Sequence, residues 1–119
     1  MDKLSNNKVR DFVFNKNKGH CAYCGCIIKR NKFVIDHINP LRRGETDKRL
    51  KGQNSVENYN PSCVSCNSSK NELSLDKWRH ELSLKIMRLN RDSSQYRLMK
   101  RFGLIKETGS SVVFYFEKQ

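Results

Sequence analysis

Two Cys-x-x-Cys pairs constrain this chain more than any other feature. The pairs are Cys21 with Cys24 and Cys63 with Cys66, and residues 25–62 lie between them. Each pair can form a tight knuckle, and two knuckles supply the four sulfur ligands of a tetrahedral structural zinc site. The chain of 119 residues suits one domain with a small core, because only 36% of its residues are hydrophobic. A zinc ion that joins the two pairs would compensate for that small core.

The fifth cysteine, Cys26, leaves one alternative open. It could replace Cys24 as the partner of Cys21, but it fits the knuckle turn poorly, so a small core residue is the favoured interpretation. His20 lies beside Cys21, but four cysteines already complete a zinc shell. Thiol–disulfide exchange at Cys21 and Cys24 is disfavoured because a second matched pair is present.

The chain is strongly basic, with 24 Lys and Arg residues against 12 Asp and Glu residues and a formal net charge of +12. This balance predicts a polyanionic partner, because Lys and Arg side chains neutralise phosphates when a protein binds DNA. The longest apolar run, residues 112–116, is far shorter than the roughly 20 residues of a membrane span. The N-terminus carries no apolar stretch after its first charges. We therefore expect a cytoplasmic protein that does not span a membrane and is not exported by a signal peptide.

The first half of the chain has the pattern of a small α+β core. A helix is predicted behind Ser5, and Gly19 ends it. Residues 33–35 predict a short strand that runs into Asp36 and His37. Residues 39–53 are polar and basic and indicate an exposed loop.

Helices dominate the rest of the pattern. Cys63 opens a helix that runs through Lys70. An amphipathic helix is predicted behind Ser74 and continues to Leu89, and a further helix begins behind Asp92 or Ser93. Residues 104–107 and 112–116 are predicted to pair as a closing β-hairpin.

The order of the motifs between Gly19 and Lys70 resembles a known family. Cys-x-x-Cys-Gly, Asp-His-Ile, Glu-Asn-Tyr-x-Pro and Cys-x-x-Cys-Asn-x-x-Lys follow one another there. This order is similar to that of the zinc-containing HNH endonucleases of the His-Me finger, or ββα-metal, class, and in particular to small phage-type members. The resemblance implies a single HNH endonuclease domain over 1–119, in a bacterial or phage-infected host cell. A zinc-stapled ββα-metal core would occupy 19–70, with a helical and hairpin extension at 71–119.

The resemblance and the chemistry of the side chains together predict five catalytic positions: His37, Asp36, Asn58, Asn67 and Lys70. His37 stands at the first H of the motif name, Asn58 at the N, and Asn67 at the last position, where this chain has Asn instead of His. Imidazole can take the proton of an attacking water near neutral pH, so His37 is the expected general base, with a backbone carbonyl orienting its ring.

The other four positions have their own expected roles. The oxygens of Asp36 and Asn67 suit a catalytic Mg²⁺ or Mn²⁺. Lys70 shares a helical face with Asn67, and we expect it to reach a phosphate oxygen. Asn58 is expected to hold its loop by hydrogen bonds to the backbone.

The expected function is metal-dependent hydrolysis of DNA phosphodiester bonds, with structural Zn²⁺ and catalytic Mg²⁺ or Mn²⁺. Double-stranded DNA is the expected partner, and its contacts are expected at cations that flank the site: Arg42, Arg43, Lys48, Arg49, Lys51 and Lys70. A monomer would nick one strand. Cutting both strands would need a homodimer, a larger phage or host complex, or two successive cleavage events by a monomer. The alternative is a non-catalytic zinc-ribbon DNA-binding module, which explains the charge and the cysteines but not Asp36, His37 and Asn67.

Overall fold

The computed structural model describes residues 6–42, 45–47 and 51–119. The chain divides into two compact units: unit 1 comprises Met1–Leu75 and Val113–Gln119, and unit 2 comprises Asp76–Val112. Within the described ranges, every helix is too short or too polar to cross a bilayer.

Unit 1 contains a ββα arrangement preceded by a helix. Its elements are α1 (Asn6–Lys16), β1 (Val34–His37), a 3₁₀ turn (Val56–Asn58), β2 (Tyr59–Ser62), α2 (Val64–Lys70) and a second 3₁₀ turn (Tyr115–Lys118). The two strands pair antiparallel, with Asp36 opposite Asn60 and His37 opposite Tyr59. The predicted α+β class and its small ββα core are confirmed.

Helix α1 is tied to both strands through its basic side chains. The Arg10 guanidinium donates to the carbonyls of Arg30 and Phe33, at 3.2 and 3.1 Å, just before β1. The Lys16 ammonium donates to the carbonyl of Val56 and to that of Tyr59 in β2. These charge-assisted bonds fix the helix against the edge of a sheet that is too small to bury much apolar surface.

The first cysteine knuckle lies in the core of unit 1. Cys21, Ala22 and Tyr23 are buried, and the Tyr23 ring packs edge-on against Phe114 and Phe116, with ring centroids 5.5 and 5.9 Å apart. Edge-to-face aromatic pairs of this kind add to the stability that their buried area supplies. The end of the chain thus covers the knuckle.

The predicted C-terminal β-hairpin is wrong. The structure describes residues 104–119 throughout and assigns no strand to them. The Tyr115 N–H donates to the Tyr23 carbonyl at 3.0 Å, and the Phe116 N–H donates to the Ala22 carbonyl at 2.8 Å. Backbone groups that a hairpin would have paired locally are therefore bonded to the first knuckle, where the aromatic side chains are also buried.

Unit 2 is helical. The helices are α3 (Leu75–Ser83), α4 (Lys85–Asp92) and α5 (Ser94–Arg101). The single helix predicted behind Ser74 is two helices, because at Leu84 the N–H is shared between the carbonyls of His80 and Glu81, at 3.2 and 3.3 Å. The Ser93 hydroxyl accepts the Tyr96 N–H at 3.1 Å and caps α5, as the sequence predicted.

The segment that follows α5 is fixed by one carboxylate. Oε1 of Glu107 accepts hydrogen bonds from the Asn90 amide at 2.7 Å and the Tyr96 hydroxyl at 2.9 Å, and it lies 3.0 Å from the Lys100 ammonium. Together these bonds lower the pKa of Glu107 to about 2, with the Asn90 bond as the largest cause. Glu107 thus links the end of unit 2 to both α4 and α5.

Candidate active site and metal centre

A cavity of about 430 Å³ is lined by β1, by α2 and by the segment that follows β1. Asp36 and His37 reach it from the strand, Asn67 reaches it from the helix, and Arg42 lines it from the following segment. Adjacent strand residues normally point to opposite faces, but β1 ends at His37, so both side chains can line one cavity. The structure therefore brings together three of the residues that the sequence nominated for catalysis and one of the cations nominated for DNA contact.

The His37 ring is held by a side chain that the sequence did not identify. Its Nε2 lies 2.8 Å from Oδ1 of Asn54, and its ring packs edge-on against Tyr59 with centroids 5.1 Å apart. The predicted orienting group was a backbone carbonyl, and an amide side chain takes that place instead. An amide oxygen only accepts, so this contact fits the tautomer in which Nε2 carries the hydrogen and Nδ1 has the lone pair.

Asp36 is almost fully buried, with 5% of its surface exposed, and its observed contacts fall on one oxygen. Oδ2 accepts a hydrogen bond from the Tyr23 hydroxyl and lies 3.2 Å from the Lys70 ammonium. Burial, and next the Asp36 charge, raises the pKa of Tyr23, so its hydroxyl stays protonated and donates. Asp36 also lines the cavity.

Lys70 is fully buried, and the prediction that it contacts a DNA phosphate is wrong. Its ammonium donates to the His37 carbonyl at 2.8 Å and pairs with Asp36, with none of its side chain exposed. A buried ammonium needs such partners because removing it from water is costly. Lys70 therefore fixes the backbone of His37 and the carboxylate of Asp36 from behind the cavity.

Asn58 closes a loop beside the cavity. Its Oδ1 accepts the Asn39 N–H, and its Nδ2 donates to the carbonyls of Asn39 and Gln53, each bond at 2.9 Å. The Gly52 N–H donates to the Pro40 carbonyl at 2.7 Å, next to the same closure. Asn58 thus makes the side-chain to backbone bonds that the sequence predicted for it, and it joins the two ends of the segment between β1 and the first 3₁₀ turn.

The predicted DNA-contacting cations in this loop are described only in part. Arg42 is half-buried at the cavity and adopts a left-handed backbone conformation with φ of 51°. Lys51 is half-buried at the far end of the loop. Arg43, Lys48 and Arg49 lie outside the described residues.

Four of the five cysteines form a cluster that can hold a metal ion. The Sγ atoms of Cys21, Cys24, Cys26 and Cys63 all lie within 4.8 Å of one another. Cys24 and Cys63 are 3.9 Å apart, close to the roughly 3.8 Å that two sulfurs at about 2.3 Å from a tetrahedral zinc would show. The donor set is one of soft sulfurs, which suits zinc.

Cys66 lies outside this group of four but beside it, in the first turn of α2. A hydrogen bond from the Cys66 thiol is the largest cause that lowers the pKa of Cys21 to about 4, and the same interaction raises the pKa of Cys66. The Cys66 N–H also donates to Sγ of Cys63 at 3.3 Å, and the Tyr23 N–H donates to Sγ of Cys21 at 3.4 Å. One of these amide-to-sulfur bonds lies in each Cys-x-x-Cys knuckle, and the two knuckles face the same sulfur cluster.

Cys26 is not the core residue that the sequence favoured. It is exposed, and its sulfur lies in the cluster. Gly25 has a φ of +81°, which turns the chain back, and the carbonyl of Cys26 accepts the Cys21 N–H at 2.8 Å. The turn therefore brings Cys26 to the metal side of the knuckle rather than into the core.

The part of the chain that forms the cysteine cluster and the cavity matches a known protein family. A family model described as HNH endonuclease matches residues 21–73, the segment that holds both cysteine pairs and the cavity residues of β1 and α2. Residues 21–73 are an HNH-family domain. The HNH resemblance predicted from the motif order is therefore confirmed.

One curated protein and one solved structure are similar to a longer part of the chain. YoqL of Bacillus subtilis (strain 168), which derives from the SPbeta prophage and is named as an HNH endonuclease, is 30% identical over 96 residues. That alignment covers 78% of this chain and 36% of YoqL, so the chain spans about a third of its relative. The crystal structure of the Type II-C Cas9 enzyme from Actinomyces naeslundii shares the fold with a TM-score of 0.55 and 21% identity, over 83% of this chain and 12% of that one.

Two residues of the HNH site escaped the sequence analysis. Tyr23 lies between two zinc-ligand candidates, where an aromatic residue has no distinctive pattern, and Asn54 lies in a polar loop with other asparagines. Their contacts with Asp36 and His37 join residues 13 and 17 positions apart. The sequence signal that could have pointed to Asn54 is its hydrogen-bonding side chain, which lies a few residues before Asn58.

Proposed function

We propose that this HNH domain hydrolyses DNA phosphodiester bonds in a metal-dependent reaction and nicks or cuts double-stranded DNA. The observation that carries the proposal is the meeting of His37, Asp36 and Asn67 at one cavity, with the His37 ring held by Asn54. The family match supports the same activity, because YoqL is named as an HNH endonuclease.

His37 acts as the general base in this proposal. With Nε2 directed at Asn54, the lone pair of Nδ1 is free to take the proton of a water that attacks the phosphorus. The edge-on contact with Tyr59 and the bond from Lys70 to the His37 carbonyl restrain the ring and its backbone. A base held in this way loses little entropy when the substrate binds.

Asp36 and Asn67 fit a hard divalent cation such as Mg²⁺ or Mn²⁺. The pair offers one carboxylate oxygen, Oδ1 of Asp36, and one amide oxygen at the same cavity, which leaves room for water and phosphate oxygens as further ligands. A bound cation would neutralise charge on the scissile phosphate and on the leaving 3′ oxygen. Lys70 and Tyr23 hold the other carboxylate oxygen and so orient Asp36.

Arg42 is the described cation best placed to bind the DNA backbone near the cut. It lines the cavity, and Lys51 lies at the other end of the same loop, with Arg43, Lys48 and Arg49 between them in sequence. Phosphate contacts of this kind position the duplex without reading its bases. The family resemblance implies products with a 5′ phosphate and a 3′ hydroxyl.

Zinc is the proposed structural metal, bound by Cys21, Cys24, Cys63 and Cys66. The first pair belongs to the buried knuckle under Phe114, and the second begins α2, which carries Asn67. One ion that binds both pairs would fix α2 relative to the knuckle. In this proposal the zinc therefore supports the site without taking part in the reaction.

Plasmid cleavage tests the proposal. Purified protein is incubated with supercoiled plasmid and Mg²⁺ or Mn²⁺, and wild type is compared with His37→Ala. His80→Ala is the matched control, because His80 is an exposed histidine of α3. We expect wild type and His80→Ala to convert the plasmid to open circles, and His37→Ala to leave it supercoiled. Equal cleavage by His37→Ala would contradict the assignment of the base.

The alternative function has its own outcome in the same experiment. A non-catalytic zinc-ribbon module would retard the plasmid in a gel and leave it supercoiled with either metal. The basic charge and the cysteine cluster fit that module equally well, but it assigns no role to the bond between His37 and Asn54.

A further inference from the structure

The cysteine cluster contains one sulfur more than a tetrahedral zinc site uses. The group within 4.8 Å is Cys21, Cys24, Cys26 and Cys63, and Cys66 lies beside it, with its N–H donating to Sγ of Cys63 at 3.3 Å. Zinc in structural sites takes four ligands, so five converging thiols cannot all bind one ion. Cys24 lies 3.9 Å from Cys63, the spacing of two sulfurs on one zinc, so Cys26 and Cys66 are the candidates for the spare sulfur.

We propose that Cys26 is a metal ligand that shares the fourth coordination position with Cys66. The ion is held by Cys21, Cys24 and Cys63 in both arrangements, and the fourth sulfur comes from Cys26 in one and from Cys66 in the other. The ligand class is a soft tetrahedral dication, of which Zn²⁺ is the common cellular example. This inference concerns the metal centre and does not depend on the proposed hydrolysis.

The backbone of the first knuckle holds Cys26 at the cluster. The Cys26 carbonyl accepts the Cys21 N–H at 2.8 Å, and the Gly25 N–H donates to the Cys21 carbonyl at 3.0 Å. A Cβ at Gly25 would lie 2.7 Å from the ring of Tyr115, so that ring seals the turn on its outer side. The position of Cys26 is thus fixed by the same turn that places Cys21 and Cys24.

Cys66 is held beside the cluster by a different bond. It lies in the first turn of α2, where its N–H donates to Sγ of Cys63 at 3.3 Å. Cys26 and Cys66 therefore approach from separate chain segments, and each has its own backbone anchor. Neither segment has to unfold when one sulfur replaces the other.

Cobalt substitution tests the shared position directly. Co²⁺ bound by four thiolates and Co²⁺ bound by three thiolates and an oxygen differ in the energy and intensity of their visible bands. Metal-free wild type, Cys26→Ser, Cys66→Ser and the double variant are titrated with Co²⁺, and zinc affinity is measured by chelator competition. We expect both single variants to keep the four-thiolate spectrum and one metal per chain.

The double variant is expected to show the three-thiolate spectrum and a zinc affinity at least about 100-fold below wild type. It loses a direct ligand, and even the loss of a residue that only contacts a ligand can cost about that much affinity. A three-thiolate spectrum in Cys66→Ser alone, with no further change in the double variant, would overturn the proposal.

A second experiment uses the wild-type protein and so does not depend on the folding of a variant. The zinc-loaded chain is alkylated with iodoacetamide, and the labelled cysteine is located by peptide mass spectrometry. Shared ligation predicts label on both Cys26 and Cys66, with little on the other three cysteines. Label confined to Cys26 would show a fixed set of Cys21, Cys24, Cys63 and Cys66 and would overturn the inference.

Discussion

The Tyr23 hydroxyl, inside the first cysteine knuckle, donates a hydrogen bond to the carboxylate of Asp36 at the cavity. A residue flanked by two metal-ligand candidates thus orients a residue proposed to bind the catalytic cation. The Tyr23 N–H also donates to Sγ of Cys21, so one side chain and its own backbone contact both sites. The knuckle therefore positions the proposed catalytic carboxylate as well as stabilising the fold.

Replacing Tyr23 with Phe is expected to weaken the catalytic metal site. The variant keeps the buried ring but loses the bond to Asp36, and changes of this kind cost roughly 10–100-fold in metal affinity. Cleavage rate measured against Mg²⁺ concentration should therefore shift to higher concentration, with zinc content unchanged. Tyr115→Phe is the control, because the ring of Tyr115 stacks on His20 while none of its observed contacts involves the hydroxyl. Equal Mg²⁺ dependence in Tyr23→Phe and wild type would contradict the link.

Asn54→Ala is expected to slow cleavage without weakening DNA binding. The alanine leaves Nε2 of His37 without its acceptor, so the ring loses a bond that restrains its rotation. A displacement of this kind costs up to about 100-fold in rate. Single-turnover cleavage and a gel-shift titration separate the two effects. Gln53→Ala, at the neighbouring exposed position, should match wild type in both assays, and a normal rate in Asn54→Ala would remove Asn54 from the site.

Lys70→Met is expected to destabilise unit 1. Methionine has a similar length but leaves the buried Asp36 carboxylate without its cation, and removing one partner of a buried ion pair typically costs about 3–5 kcal/mol. Urea denaturation of the zinc-loaded protein measures the change. Lys32→Met, at an exposed position, should alter the free energy of unfolding by no more than about 0.5 kcal/mol. A similarly small effect for Lys70→Met would show that the pair contributes little.

Glu107 is expected to make the stability of unit 2 depend on pH in the acidic range. Its folded-state pKa of about 2 lies below the ordinary value of 4.5, so the unfolded state binds the proton more readily. Its contribution is complete above about pH 4.5 and is lost as the pH falls toward 2. The difference in Tm between wild type and Glu107→Gln, followed by helix circular dichroism, should shrink over that range. A difference that stays constant with pH would exclude this role.

Gly52→Ala is expected to disturb the loop beside the cavity. A Cβ at Gly52 would lie 1.7 Å from the Asn39 carbonyl oxygen, so the backbone must move and the bond to Pro40 must lengthen. Overpacking of this kind costs about 1–3 kcal/mol, and cleavage should slow because Asn39 follows His37 closely. At Gly109 a Cβ would meet open space but the φ of +68° strains any side chain, so Gly109→Ala is a control for backbone strain in unit 2 and should leave the cleavage rate unchanged. Similar rates in both variants would contradict a fixed loop closure.

The elements that depend on local pattern were predictable from the sequence. The strand that ends at His37, the helix that begins after Cys63 and the Ser93 cap each follow from residues close together in the chain. The two cysteine pairs and the meeting of Asp36 with Asn67 followed from motif order. Local spacing carries this information because helix and strand geometry repeats over a few residues.

The parts that failed depend on distant contacts. Lys70 shares a helical face with Asn67 only approximately, since positions three apart differ by about 60° around the helix, and its long side chain reaches the His37 carbonyl instead of the cavity. Tyr115 and Phe116 use their amides on the first knuckle, about 90 residues earlier in the chain, rather than in a hairpin. No periodicity in the sequence reports such partners.

The closure of the loop by Asn58 has a consequence for how this site can change over time. Because Asn58 binds both Asn39 and Gln53, it holds the two ends of the loop together beside the strand that carries His37. Positions between these ends, apart from the tightly packed Gly52, can therefore change without breaking the closure, and in the proposed function such changes would alter the contacts with DNA. The side chain of Asn58 thereby marks the boundary between a loop that tolerates sequence change and the strand end at His37, which does not.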